Sequence, residues 1–352
     1  MKKNITGIQQ IGIGVRNVHE AFEWYRNVLG MDIRIFEEKA TAELMLHYTD
    51  NKPRERHAIL ALNMHGGGGF EVWQHTGHQA MDPVFDVQLG DTGIYICKLK
   101  THDTALAFEY LKSKKVNLLS DVEKNPANVS HFMFRDPFGN IFQMVEDVSV
   151  YEKSKVPSGG TFGAIIGVSN MENSLRLYRD VLGYDKIVYD QSDAFHDFKT
   201  LPGGGQQVRR VLLQHSQDRK GAFSKLFGPT EIELVQTLDR KPKPIYKDRI
   251  WGDMGFIHIC FDINGMDLLK EECEKAGFPF TVDSSNSFDM GEAAGHFAYV
   301  SDPDGTPVEF VETHKVPVMK KIGWYINLKN RDPLKSLPFW VLKGLKFNRV
   351  KK

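Results

Sequence analysis

The chain has 352 residues, with 45 basic and 45 acidic side chains, so its formal charge is zero. A length of this kind suits two domains at roughly 100–200 residues each, and the balanced charge lacks the basic excess of a nucleic-acid-binding domain. The three cysteines, Cys97, Cys260 and Cys273, have no short spacing, which speaks against a disulfide framework or a cysteine zinc site. Reduced, buried thiols in a cytoplasmic protein are expected instead. The opening MKKNITGIQQIGIG has no apolar segment of the signal-peptide type. No apolar run approaches the roughly 20 residues that span a bilayer.

In chain order, a β-rich run at Ile11–Val15 leads into a helix that Asn17 caps and Gly30 stops. Ala21, Phe22, Tyr25 and Leu29 supply its apolar face at three-and-four spacing. Strands are then expected at Glu43–Tyr48, His57–Asn63 and Phe70–Gln74, with Gly66–Gly69 as a hairpin loop. That glycine run lacks the Lys-Ser/Thr of a phosphate loop and precedes a strand, not a helix. A strand at Gly93–Leu99, a helix at Thr104–Lys114, and strands at Val129–Phe134 and Ile141–Val145 follow, the last two joined by the Asp136-Pro137-Phe138-Gly139 turn. The segment Tyr151–Gly160 reads as a linker. Strands at Ala164–Val168, Phe195–Lys199, Val208–His215 and Glu231–Gln236 come next, with a helix capped by Asn170 and stopped by Gly183. The pattern closes with Gly255–Ile263, a helix at Met266–Ala276, His296–Ser301 and Val308–Glu312, the last two joined by Asp302-Pro303-Asp304-Gly305.

The chain says the same thing twice. Ile13, Gly14, Val15, Asn17, Tyr25, Arg26, Val28, Leu29, Gly30 and Asp32 recur as Ile166, Gly167, Val168, Asn170, Tyr178, Arg179, Val181, Leu182, Gly183 and Asp185, always 153 residues later. RDPFGNIFQMVED at 135–147 is echoed by SDPDGTPVEFVET at 301–313. An internal repeat fixes architecture early. The unit is β-α-β-β-β, it occurs four times, and one unit with a single helix must pair with another to cover its core.

These YRNVLG, YRDVLG, DPFGN and DPDGT segments, in this order, resemble the vicinal oxygen chelate superfamily, which includes glyoxalase I, methylmalonyl-CoA epimerase, extradiol dioxygenases and bleomycin-type resistance proteins. The resemblance implies an α+β fold of two tandem domains, each of paired βαβββ units forming a curved mixed sheet around a cavity. The expected partition is 6–148, a linker at 149–160, 161–314, and a basic, aromatic tail at 315–352.

In the family a divalent metal is held by side chains on the first and last strands of a unit. Carried over, those positions are Gln10, Glu71, Ile96 and Gln143 in the first half and Gly163, Glu233, His258 and Glu309 in the second. The expectation is that the second half holds the metal (Zn, Fe, Mn, Ni or Co) through Glu233, His258 and Glu309, and that the first-half set does not. Gly163 leaves one position vacant, for which His215 and His296 are candidate substitutes. The resemblance then implies a metal-dependent lyase or isomerase of the glyoxalase or epimerase type acting on a small oxygenated molecule, with Glu309 and Glu233 as candidate proton carriers. Three alternatives stay open: an Fe(II) ring-cleaving dioxygenase, a metal-free binding or resistance protein, and a structural or interaction protein working through its basic tail. Neither a nucleic-acid partner nor a membrane span is expected. The tail carries 11 basic residues against the single acid Asp332; it reads as a strap packing its aromatics on the domains, with a membrane- or nucleic-acid-binding segment as the other reading.

Overall fold

Both copies of the repeat begin as their caps dictate. The Asn17 side chain accepts hydrogen bonds from the amides of His19 and Glu20, and Asn170 does the same for Asn173. Gly30 and Gly183 end the helices at positive φ, 72° and 69°.

The computed structural model describes residues 3–285, 288–289, 294–319 and 323–350. The first unit contains β1 (Asn4–Gly14), α1 (Val18–Leu29), β2 (Ile33–Thr41), β3 (Glu55–Leu62) and β4 (Gly69–His75). The second has β5 (Gly93–Thr101), α2 (Thr104–Ser113), the short β6 (Asn117–Leu118) and β7 (Glu123–Lys124), β8 (Ser130–Arg135) and β9 (Ile141–Glu146). The third has β10 (Thr161–Gly167), α3 (Met171–Leu175), β11 (Lys186–Asp193), β12 (Val208–Gln214), a helical turn α4 (Ser224–Phe227) and β13 (Glu231–Thr237). Helix α3 continues to Val181 in wider turns. The fourth has β14 (Gly255–Asn264), α5 (Met266–Ala276), β15 (Val282–Asp283), β16 (Phe288–Asp289), β17 (Ala294–Ser301) and β18 (Pro307–Met319). The tail adds β19 (Trp324–Asn327) and α6 (Phe339–Lys343).

The α+β architecture is the expected one, two curved mixed sheets, but the units pair across the chain. Among the described residues a ten-stranded sheet runs β15-β17-β18-β14-β1-β4-β3-β2, with β16 beside β17 and β19 beside β18. A nine-stranded sheet runs β11-β12-β13-β10-β5-β9-β8-β6, with β7 beside β8. Unit one therefore pairs with unit four, and unit two with unit three. The seams are two long antiparallel pairings, β1 with β14 and β10 with β5. These four strands are buried on both faces nearly throughout, with a few polar residues such as Gln10, Lys98 and His258 set among apolar ones.

Sequence neighbours meet through their helices instead. The Tyr25 hydroxyl of α1 donates to Asp136 Oδ2 at 2.6 Å, and Tyr178 donates to Asp302 Oδ2 at 3.0 Å. Asp136 also accepts the amides of Phe138 and Asn140, as Asp302 accepts those of Asp304 and Thr306. The two sequence echoes are thus halves of one contact: the repeated tyrosine anchors the repeated Asp-Pro turn of the next unit.

Two expected strands are misplaced. Glu43–Tyr48 holds a short helical turn at Met45–Tyr48, and the strand is β2. Phe195–Lys199 likewise holds a turn at His196–Phe198, and the strand is β11. Both true strands lie at sheet edges, half exposed and rich in charge, so period-two burial leaves little apolar trace in them.

The tail packs as a strap. Leu337, Val341, Leu342 and Leu345 are buried in a cluster with Ile33, Leu62, Phe223, Leu226 and Phe227, while Trp340 and Phe347 stay exposed. Lys320, Lys321, Lys351 and Lys352 of the basic tail lie outside the described residues. Among the described residues no helix is long and apolar enough to cross a membrane.

Replacing Tyr25 or Tyr178 with Phe leaves the burial intact but strips a charged acceptor of its buried donor. Each substitution is expected to cost about 1–3 kcal/mol, read as a lower urea midpoint with an unchanged slope.

Candidate metal centre and cavity

The cross-chain pairing decides which side chains meet. On the adjacent strands β18, β14, β1 and β4 the register aligns Cys260 with both Gln10 and Glu309, and Gly12 with both His258 and Glu71. Residues two apart on a strand share a face. Gln10, Glu71, His258 and Glu309 accordingly converge. His258 Nε2 lies 3.1 Å from Glu309 and 3.3 Å from Glu71. Gln10 Nε2 lies 3.2 Å from Glu71 and 3.5 Å from Glu309. One ligating atom from each of Glu71, His258 and Glu309 falls within 4.8 Å of the others.

Neighbouring residues hold the imidazole in place. A Cβ on Gly12 would sit 2.4 Å from the His258 ring, so only glycine leaves it room. Trp251 stacks on the ring at 5.9 Å and 15°, and Tyr299 meets it edge-on at 5.7 Å. Burial would lower the His258 pKa, but the carboxylates of Glu309 and Glu71 outweigh it and raise the value to about 9. Burial pushes the Glu71 carboxyl up, yet its contacts with His258 bring it below the ordinary value. Two carboxylates thus favour the protonated form of the His258 ring.

The residues present fit a divalent cation. Gln10 Oε1 is buried without a hydrogen-bond partner, which is costly unless something else satisfies it, and His258 Nε2 meets only the two carboxylates that would share an ion with it. One imidazole nitrogen, one amide oxygen and two carboxylate oxygens are a suitable donor set for a first-row transition ion or zinc with positions left open. Gln10, Glu71 and Glu309 lie on the wall of a cavity of about 570 Å³. Its other walls are largely apolar, including Trp73, Trp251, Phe297, Leu60 and, from outside the sheet, Phe227 and Leu345.

The other sheet has the same positions and a different chemistry. Glu233 occupies the place there that Glu71 has here, facing Ile165 in register. It does not join His258 and Glu309, as the sequence reading supposed, because it belongs to the other sheet. Its companions there are Ile96 and Gln143, which offer no imidazole and no carboxylate. The vacancy expected at Gly163 is closed too, since a Cβ there would lie 2.1 Å from the Glu231 carbonyl oxygen. Buried cations take up the acids. Lys98 Nζ lies 2.7 Å from Glu231 and 2.6 Å from Glu233. Arg210 donates to Glu233 at 2.7 Å and to Asp197 at 2.8 Å, and Tyr189 donates to Glu233 at 2.8 Å. Burial would raise the Glu233 pKa, but Arg210 and Lys98 bring it down to about 2.

Neither proposed substitute ligand reaches a centre. His215 bonds the Gly183 carbonyl oxygen and Thr230, and His296 pairs with Asp283 at 2.7 Å. The sequence places Gln10 and Glu71 at family positions but groups them with Ile96 and Gln143; the structure brings them to His258 and Glu309 instead, because unit one pairs with unit four.

Residues 7–144 match a family model described as the Glyoxalase/Bleomycin resistance protein/Dioxygenase superfamily, and residues 164–300 match a second model of the same description. The chain belongs to this superfamily. It carries two of its domains in tandem. No curated protein matches the sequence significantly. Among solved structures, glyoxalase I from Zea mays is 13% identical, with 88% of this chain and 92% of that chain covered at a TM-score of 0.54. A candidate dioxygenase from Bacillus subtilis subsp. subtilis str. 168 is 14% identical, with 89% and 86% covered at a TM-score of 0.56. At these identities the likeness is one of fold. Superfamily members such as glyoxalase I usually bind a divalent metal, and the cluster at Glu71, His258 and Glu309 supplies candidate ligands for one here.

Replacing Lys98 with Met leaves two buried carboxylates short of a partner and is expected to cost about 3–5 kcal/mol in stability with no change in metal content, measured by urea unfolding and elemental analysis. The depressed Glu233 pKa gives a signed pH effect. Its stabilisation is complete above the ordinary glutamate value of 4.5 and is lost as pH falls toward about 2. The urea midpoint of the native protein is expected to drop across that window more steeply than that of Glu233→Gln.

Proposed function

We propose that the cavity on the ten-stranded sheet is the active site of a metal-dependent lyase or isomerase of the glyoxalase and epimerase type, acting on a small molecule with vicinal oxygens and an apolar arm. The observation that carries this reading is the convergence of Gln10, Glu71, His258 and Glu309, with a buried lone-pair atom on Gln10, Oε1, left without a hydrogen-bond partner. A divalent ion bound there would supply Lewis-acid stabilisation of negative charge developing on substrate oxygen. The remaining work falls to the chain. The aromatic walls at Trp73, Trp251 and Phe297 favour an apolar substituent and exclude water. Gln10 is closer to Glu71 than to Glu309, which steadies Glu71 as an ionised ligand. Glu309, less tightly held by Gln10, is the better candidate to move a proton at the substrate carbon, and it borders the cavity within reach of a bound molecule.

The donor set also weighs between classes. Oxygen-activating non-haem iron sites characteristically use two histidines and one carboxylate. Here the position at Gln10 is an amide, and two carboxylates accompany a single imidazole. That balance supports proton transfer over ring cleavage. The three buried free cysteines suit a reducing compartment, in keeping with a cytoplasmic enzyme.

With protein purified without an affinity metal column, His258→Ala, Glu309→Ala and Gln10→Ala are each expected to lose the metal of this centre, while Glu233→Ala keeps it. Exchange of the α-proton of apolar α-hydroxycarbonyl compounds into deuterated water, followed by NMR, is expected to fall by about 10²–10⁴-fold in Glu309→Gln. Oxygen uptake with catechols would reassign the site to a dioxygenase. Tight binding of an apolar ligand, indifferent to chelators, would make the chain a binding protein.

A further inference from the structure

The two connections between consecutive units, first to second and third to fourth, meet along their length. Residues 76–92 lead from β4 to β5, and residues 238–254 lead from β13 to β14. Where they meet stand His75, His78 and Asp253, none of which belongs to the centre described above. We propose that these three residues form a second metal site, suited to zinc or another late first-row divalent ion, which fastens the two connections together behind the cavity wall.

Three features of the geometry support it. One ligating atom from each residue lies within 4.8 Å of the other two, and His78 Nε2 is already 3.2 Å from Asp253 Oδ1. Ligands at about 2.0–2.1 Å around tetrahedral zinc stand roughly 3.3–3.5 Å apart, so a small side-chain adjustment completes the set. Next, His75 is 4% exposed, and neither of its ring nitrogens has a hydrogen-bond partner. A buried imidazole with two idle nitrogens calls for a ligand. Finally, the carboxylate is oriented before any ion arrives. Asp253 Oδ1 accepts the Met81 amide at 2.9 Å, and Oδ2 accepts the Ile250 amide at 2.9 Å. Such outer bonds are the usual means of aiming a metal-binding carboxylate.

The surroundings keep the spot open. Gly252 has φ +94°, and a Cβ there would lie 2.7 Å from His75 Nε2. His78 is half-buried, which gives an ion and a completing water a route from solvent. The site also touches the cavity through rings alone. Trp73 meets His75 at 4.6 Å, Trp251 meets Trp73 at 4.6 Å, and Trp251 stacks on His258. A metal at His75 would therefore hold the two tryptophans that wall the cavity, without sharing a ligand with the catalytic centre.

The test is a Co(II) and Zn(II) titration of the full chain, comparing wild type, Glu309→Ala, His78→Ala and the double variant, with thermal unfolding recorded for each. His78 is partly exposed and packs little, so its loss should spare the fold; His78→Gln serves if it does not. Wild type is expected to take up about two equivalents, each single variant about one, and the double variant none, with visible Co(II) bands of tetrahedral type in Glu309→Ala that vanish in the double variant. Zn(II) should raise the Tm of Glu309→Ala but not that of the double variant. Loss of all metal in Glu309→Ala, or two equivalents retained in His78→Ala, would overturn the proposal. One equivalent that survives Glu309→Ala and disappears in His78→Ala would leave this site standing and remove the catalytic metal instead.

Discussion

The antiparallel seam between β1 and β14 is the constraint on which the molecule rests. It joins the first unit to the last, with Gln10 opposite Cys260 and Gly12 opposite His258. Without it Glu71 has no imidazole beside it and His258 no second carboxylate. The seam closes a loop of more than two thirds of the chain, and closure entropy grows only logarithmically with loop length. Its effect is mainly on order of assembly, because contacts so distant in sequence form late. The nine-stranded sheet, built from the two middle units, has the shorter path and requires no chain end to come home. The candidate centre is thus confined to the sheet that can be completed only when the last unit is in place.

The two sheets present one physical problem with two solutions. Each places acids on its inner strands, where an unpaired charge is untenable. In the nine-stranded sheet the chain supplies its own cations, Lys98 and Arg210, and fills the neighbouring positions with Ile96, Ile165 and the closely packed Gly163. In the ten-stranded sheet Cys260 stands where Lys98 does, and Gly12 stands where Ile165 does. The wall that results has no internal lysine, and Gly12 leaves room for His258. An internal lysine makes a satisfied core; its absence leaves a site.

Much of this was legible in the sequence. The repeat announced four units, the asparagine caps and glycine stops located two of the helices, and all four donor positions were found by alignment with the family. What failed was the assumption that consecutive units pair. Nothing in the local pattern of β1 or β14 names its partner, since a strand buried on both faces reads as the same apolar run whichever neighbour it has. The information lay in the donors themselves. Gln10 with Glu71, and His258 with Glu309, form a complete set only across the ends of the chain, whereas either half alone leaves a glycine or an isoleucine where a ligand is required. The edge strands β2 and β11 escaped for a different reason: charged residues that keep an edge from pairing with other chains also erase its hydrophobic alternation.

The parts that lie outside the repeat are the ones that shape the cavity. Its floor and the wall that carries Gln10, Glu71 and Glu309 come from the duplicated strands, but Phe227 comes from the long connection before β13, and Leu345 from the tail. Both pack in one apolar cluster with Tyr151 of the central linker, whose hydroxyl donates to the Phe339 carbonyl oxygen at 2.8 Å. The strap reading of the tail follows from this packing, because its buried leucines face the protein while Lys346 pairs with Glu152 and Arg349 with Asp32. Two kinds of segment therefore carry two kinds of information. The repeat, through strand register, sets where Gln10, Glu71, His258 and Glu309 converge. The linker, the α4 turn and the tail set how much apolar space stands above them, and on the proposed function a change of substrate would be made there, with those four residues untouched.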